Sequence, residues 1–219
     1  MTKPNSKNAK SAYLRVIVLL ILAVIVCVAA MYLVQKNLQR PSLQNIDPNS
    51  VIQSPRKETW AQRIELEGVE NFHKVSDELY RGAQPSDEGM RELEKLGTKT
   101  IVNLRSFHSD RGEIKGTDLT YEHIYMKAWH AEDKEVVRFL KIVSDKEHTP
   151  VFVHCMHGAD RTGTMCAIYR IAIQGWSKAE AVEEMTKGGF GFHSVWENLP
   201  EYLEELDIEE MKRQAGLEN

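Results

Sequence analysis

Ten consecutive residues, His154-Cys155-Met156-His157-Gly158-Ala159-Asp160-Arg161-Thr162-Gly163, restrict what this chain can fold into more than any other stretch. Upstream, Thr149-Pro150 is punctuation and Val151-Phe152-Val153 is a short apolar run of the kind that forms a buried strand. Downstream, Thr162 to Ile173 is almost continuously apolar over a helical length. A strand therefore feeds a turn, and the turn opens a helix. The first N–H groups of a helix lack intrahelical acceptors and the macrodipole is positive there, so this point favours an anion. Two anions suit it: a Cys155 thiolate and a bound phosphate.

The residue types within the loop fit that chemistry. Cys155 is the candidate nucleophile. Arg161 offers a planar fork of donors that matches two phosphate oxygens, a geometry lysine does not supply. Gly158 sits where the chain must curl so that successive amides point inward. The phosphate-binding candidates are thus Met156, His157, Gly158, Ala159, Asp160, Arg161 and Thr162, with the Asp160 carboxylate read as structural because it would oppose a bound anion. The Thr162 hydroxyl is a candidate donor to the departing sulfur, and His154 is read as orienting the loop. Cys27 lies in a long apolar run and Cys166 in the apolar helix, where cysteine acts as a small hydrophobe.

This segment resembles the signature loop of the cysteine-dependent protein tyrosine phosphatase superfamily: His-Cys, five residues, then Arg and Ser or Thr. The stretch from about Gly68 to Leu206 is similar to compact bacterial members of the dual-specificity branch. The similarity includes Asn71-Phe72-His73-Lys74-Val75-Ser76, Leu79-Tyr80-Arg81-Gly82-Ala83-Gln84-Pro85 and Val102-Asn103-Leu104-Arg105. It implies a protein tyrosine phosphatase-like α/β fold with a central sheet flanked by helices, a phosphocysteine intermediate, and neither metal nor cofactor. No second cluster of His, Cys or carboxylates at metal spacing accompanies His154 and His157.

The resemblance also implies an aspartate acid on a loop before the signature strand. Here the corresponding stretch is Met126 to Asp133, which runs into a helix with Val136, Leu140 and Val143 at helical spacing. Asp133 is the first choice and Glu132 the second; the competing role for Asp133 is to cap that helix. Asp110, Asp118 and His130 are weaker candidates. Larger tyrosine phosphatases carry Trp-Pro-Asp, whereas here Trp129-His130 places the acid four residues beyond the tryptophan. Arg81 and Arg105 are read as surface-paired in preference to substrate-facing.

Leu14 to Val34 is apolar apart from Arg15 and long enough to cross the hydrocarbon core as a helix. The organisation expected is a basic segment 1–13, a transmembrane signal anchor 14–34, a polar linker 35–59 rich in Pro, Ser, Asn and Gln, and a phosphatase domain 60–219. Lys3, Lys7, Lys10 and Arg15 outnumber Lys36 and Arg40, which favours a single-pass protein with its catalytic domain outside the cytoplasm, in a periplasm where there is one. The chain has a formal charge of −4. Residues 1–40 hold six Lys and Arg and no carboxylate, which leaves −10 on the remainder. That excludes nucleic-acid binding by electrostatics.

Strand character appears at Val69–Phe72, Glu78–Arg81, Thr100–Leu104 and Leu119–Met126. Ser86 precedes a helix with Met90, Leu93 and Leu96 on one face and Gly97 closing it. Ser177 and Glu180 form a capping box, Gly188–Phe192 is a loop, and Asn198–Arg213 reads as one final helix. Trp176, Trp196 and Tyr202 read as core. The substrate expected is a phosphorylated protein, on tyrosine and in a dual-specificity case on serine or threonine. An inositol phosphate is the alternative small phosphoester, and a non-catalytic phospho-ligand binder is the alternative of another class. Sequence leaves the oligomeric state open.

Overall fold

The computed structural model describes residues 57–217. They build an α/β domain on a six-stranded sheet: β1 (Gln62–Arg63), β2 (His73–Lys74), β3 (Leu79–Gly82), β4 (Thr100–Asn103), β5 (Thr120–His123) and β6 (Val151–His154), in the order β1-β2-β3-β6-β4-β5. β1 to β3 pair antiparallel, while β3, β6, β4 and β5 run parallel. The helices are α1 (Asp87–Lys95), α2 (Asp133–Ser144), α3 (Asp160–Ala172), α4 (Lys178–Lys187), α5 (Asn198–Glu205) and α6 (Ile208–Ala215).

The two-residue side-chain period of the strands divides the core. On β3, β4 and β6 the residues Leu79, Val102, Val151 and Val153 face one cluster, shared with α2 to α6. Tyr80, Ile101 and Phe152 face the other, closed by Met90 and Leu93 of α1. Both faces are thus covered, and β6 is buried throughout, which is why its sequence reads as a run and not as an alternation. For the same reason α3 has no polar stripe: Thr162 to Arg170 are all buried.

Arg170 and Glu184 are each about 3% exposed and form a two-pronged ion pair between α3 and α4 at 2.7 Å. Arg170 also donates to the carbonyls of Val75 and Thr59, and Glu184 accepts from the Ala61 amide. The start of the domain is thereby fastened to its central helix. Trp176 lies under the Arg170 guanidinium, 4.2 Å from it, and is half-buried. Trp196 and Tyr202 pack partly buried against the larger cluster.

Several elements differ from those expected. Val69–Phe72 is not a strand: Leu66 and Val69 form an isolated bridge, Asn71 adopts φ 51°, and pairing begins only at His73. The strand expected over Leu119–Met126 is limited to Thr120–His123. Leu96 caps α1 and is 41% exposed, because Gly97 at φ 94° turns the chain away. The final helix is two helices, broken where the Asp207 side chain accepts from the Glu210 amide and starts α6. Among the described residues no helix is long and apolar enough to cross a membrane; the expected anchor at residues 14–34 lies outside them.

The parallel strands end level with one another, Gly82 and Asn103 opposite His154 and His123 opposite Asn103. The segments after β3, β4, β5 and β6 therefore gather at one rim, the position where open α/β sheets bind ligands.

Candidate active site

Cys155 directly follows β6 and is 2% exposed; α3 begins five residues later at Asp160. Among the described residues, none of the backbone N–H groups from Met156 to Thr162 donates to a protein acceptor; the first amide to do so is Gly163, to Ala159 O at 2.7 Å. The loop thus holds a row of free donors at a helix N-terminus, the arrangement that binds an oxyanion. Arg161 is half-buried, and its Nη1 reaches the carbonyls of Leu104 and Met126 at 3.3 and 3.4 Å, at the ends of the neighbouring segments. Its Nε and Nη2 have no protein partner among the described residues. Thr162 is fully buried with an unbonded Oγ1, so its proton is uncommitted. Met156 and His157 are exposed at the rim, whereas Gly158 and Ala159 are buried.

The loop is held in place from three sides. Gly158 adopts φ 69°, and a Cβ there would lie 2.4 Å from the Gly82 carbonyl group, so the loop seats directly on the end of β3. Asn71 donates from one side-chain nitrogen to His157 O and Phe190 O, at 2.9 and 2.8 Å. Asp160 turns away from the cradle, as expected of a structural carboxylate: it accepts from the His193 amide and ring, each at 2.9 Å. This ties the loop after α4 to the signature loop.

Behind Cys155 lies a buried polar pair. His154 Nε2 donates to Asp110 Oδ2 at 2.7 Å, and both side chains are fully buried. Asp110 Oδ1 also accepts from Gln84 and Asn103, at 2.9 and 2.8 Å. Burial alone would raise the Asp110 carboxyl. The hydrogen bond and charge of His154, with Gln84 and His108, outweigh burial and hold it below the usual carboxylate range. Asp110 is therefore the partner that orients His154 and is poorly suited to be an acid. His108, Asp110 and Glu113 bring ligand atoms within 4.8 Å of one another, but the Asp110 oxygens already accept from His154, Gln84 and Asn103.

The acid candidates now separate. Asp118 precedes β5, at the opposite end of the sheet from Cys155. Glu132, and not Asp133, is the N-cap of α2, and its own amide donates to Glu135. Hydrogen bonds first from Lys134 and then from Lys127 hold the Glu132 carboxyl below its usual range and occupy it as an acceptor. Asp133 is the exposed first residue of α2 and accepts from Tyr202 Oη at 2.8 Å. Burial, then the Asp133 hydrogen bond, push the Tyr202 phenol up, so it stays a donor. His130 is exposed on the turn between Lys127 and Ala131.

One of the two arginines departs from the surface pairing expected of them. Arg105 is half-buried and donates to Gln84 Oε1 at 3.2 Å on the same rim, whereas Arg81 is 1% exposed beneath the loop. Cys166 is buried in α3, and burial pushes its thiol up to about 11, consistent with an inert core residue.

Comparison with known proteins adds to this geometry. A family model described as a DSP-PTPase phosphatase fused to NAD+ kinase matches residues 59–198. The dual specificity protein phosphatase TpbA of Pseudomonas aeruginosa is 32% identical over 160 residues, covering 73% of this chain and 72% of TpbA. A TpbA crystal structure of a cysteine-to-serine variant in complex with phosphotyrosine aligns with TM-score 0.65 and 31% identity, over 74% of this chain and 98% of that one. The catalytic core of the PP-IP phosphatase Siw14 from Saccharomyces cerevisiae, in complex with citrate, aligns with TM-score 0.61 and 25% identity, over 69% and 94%. The chain belongs to the DSP-PTPase family of cysteine-dependent dual-specificity and tyrosine phosphatases.

Proposed function

We propose that this protein hydrolyses phosphomonoesters on proteins, on tyrosine and in dual fashion on serine or threonine, through a phosphocysteine intermediate. The observation that carries the reading is the row of unbonded amides from Met156 to Thr162 around Cys155, with Arg161 offering one uncommitted edge, its Nε and Nη2. Cys155 attacks phosphorus while the amides and Arg161 hold the equatorial oxygens. Asp133 donates a proton to the leaving oxygen, and Thr162 donates to the sulfur as it leaves in the second step. Water then hydrolyses the phosphocysteine, with the same carboxylate as base.

A groove of about 800 Å³ lined by Arg63, Glu65, Asn71, Gln84, Met156 and His157, among others, borders the loop. It offers mixed charges along its length, which suits a peptide better than a dense polyanion. The inositol reading has its own support in the likeness to Siw14, whose curated name is inositol diphosphatase.

The test is single-turnover phosphate release by the full-length protein in detergent, under reducing conditions, on a phosphotyrosine peptide, a phosphothreonine peptide and inositol hexakisphosphate. Release from the phosphotyrosine peptide is expected, and release from the inositol phosphate alone would replace the protein reading. In the same assay Asp133→Asn is expected to slow poor leaving groups by about 10² to 10⁴-fold and activated aryl phosphates far less. Equal slowing of both would remove Asp133 from the acid role.

The apolar run 14–34 supports a second element of the proposal, a single-pass anchor that places the catalytic domain outside the cytoplasm. Deleting residues 1–40 is expected to shift the protein from the membrane pellet to the supernatant. Persistence in the pellet after deletion would refute the anchor.

A further inference from the structure

We propose that Arg81 is a positioning residue for the anion cradle: a buried guanidinium that holds the Gly158 and Ala159 carbonyls back, and whose charge is balanced by the oxyanion in the loop. The inference rests on the loop being the phosphate site. Arg81 lies on β3, on the face opposite Tyr80. Its Nη2 donates to Gly158 O at 2.8 Å and, more weakly, to Ala159 O at 3.5 Å, and the guanidinium stacks 3.8 Å from the Phe190 ring centre.

A trans peptide is planar, with its C=O and N–H pointing in opposite directions. Drawing the Gly158 and Ala159 carbonyls toward Arg81 therefore turns the amides of Ala159 and Asp160 the other way, among the unbonded donors of the loop. Arg81 thus sets the direction of two donors without touching the ligand.

The charge makes the second half of the argument. Arg81 is 1% exposed, its Nε has no hydrogen-bond partner, and among the described residues no carboxylate lies within ion-pair distance of it. The nearby acid of the loop, Asp160, is engaged with His193. A Cβ at Gly163 would be 3.7 Å from Arg81 Nη2, so the guanidinium also stands beside the positive end of α3. A buried cation in that position is unfavourable until a counter-charge arrives, and the loop between Cys155 and Arg161 is where one binds.

The test compares wild type, Arg81→Met and Arg81→Lys as full-length chains, measuring the dissociation constant for inorganic vanadate and the melting temperature with and without it. Arg81→Met is expected to bind vanadate about tenfold or more weakly, because two loop donors lose their aim and the buried positive charge beneath them is removed. Its melting temperature without oxyanion should hold or rise, and its gain on adding vanadate should shrink. Arg81→Lys, with the charge but without the fork, is expected to fall between.

A purely structural residue would lower the melting temperature and leave affinity for the oxyanion unchanged, and that result overturns the inference. If Arg81→Met does not fold, Arg81→Lys decides, and wild-type affinity in it overturns the inference too. Wild type that binds no vanadate would overturn the reading of the loop itself, whereas equal binding by wild type and Arg81→Met overturns only the role of Arg81.

Discussion

Cys155→Ser is expected to lower single-turnover phosphate release by at least about 10⁴-fold while leaving affinity for a phosphopeptide within a few-fold of wild type. The two halves of that expectation come from different atoms. Attack needs a thiolate, and a serine hydroxyl at the same point ionises far less readily, so the nucleophile is lost. Binding comes from the amides of Met156 to Thr162 and from Arg161, none of which the substitution touches. Cys155 is 2% exposed at the end of a buried strand, and exchanging sulfur for oxygen removes little volume, so the fold should survive.

Phosphate release is measured by rapid quench and binding by calorimetry on the same preparation. Loss of both would indicate a collapsed loop and would be visible as a shift in melting temperature. Undiminished release would mean that another group attacks phosphorus, and the mechanism proposed for this loop would be wrong. Binding without any release in the wild type as well would favour the alternative of a phospho-ligand binder.

What the sequence made legible was chemistry contiguous along the chain. The strand, the cysteine, the curl at Gly158 and the buried helix follow one another from Val151 to Arg170, so periodicity and residue type sufficed to place them. The Ser177 capping box was equally local, and the structure has it with Glu180. The supports of the loop are not local. His154 and Asp110 are separated by 44 positions, Asn71 and His157 by 86, and Arg81 and Gly158 by 77. Nothing in a single sequence pairs them, and each taken alone reads as an ordinary polar residue, which is how Arg81 came to be expected at the surface.

The two-residue strands β1 and β2 are too short to show alternation, so Val69–Phe72 drew the strand expectation that belonged to His73–Lys74. The break between α5 and α6 is set by one cap. Asp207 is both a tolerable helix residue and a good N-cap, and the structure uses it as the cap.

Gly158→Ala is expected to lower activity by at least about 10²-fold, through geometry and not chemistry. The position adopts φ 69°, a left-handed conformation that costs an alanine about 1–2 kcal/mol. The added Cβ would in addition stand 2.4 Å from Gly82 C and O and 2.7 Å from Ala83 N, all backbone atoms, so no side chain can swing aside. Overpacking of this kind costs about 1–3 kcal/mol more. One of the two segments must move, and β3 is the less able. It is paired on both sides, to β2 and β6, and Phe152 packs against Gly82 from the other sheet face.

The loop is therefore the part that lifts. Lifting it breaks the Arg81 bond to Gly158 O and swings the amides out of register with a phosphate whose position Arg161 still dictates. A displacement near 1 Å at a reacting centre costs about 10²-fold in rate. Gly158→Ala is accordingly expected to retain its circular dichroism spectrum, to melt several degrees lower, and to lose at least about 10²-fold in kcat/KM with weakened binding of vanadate. That combination differs from Cys155→Ser, which keeps oxyanion binding. A Gly158→Ala protein active to within a factor of three would mean that the loop accommodates a side chain against β3, and that the close seating of Gly158 on Gly82 is not what aims the donors.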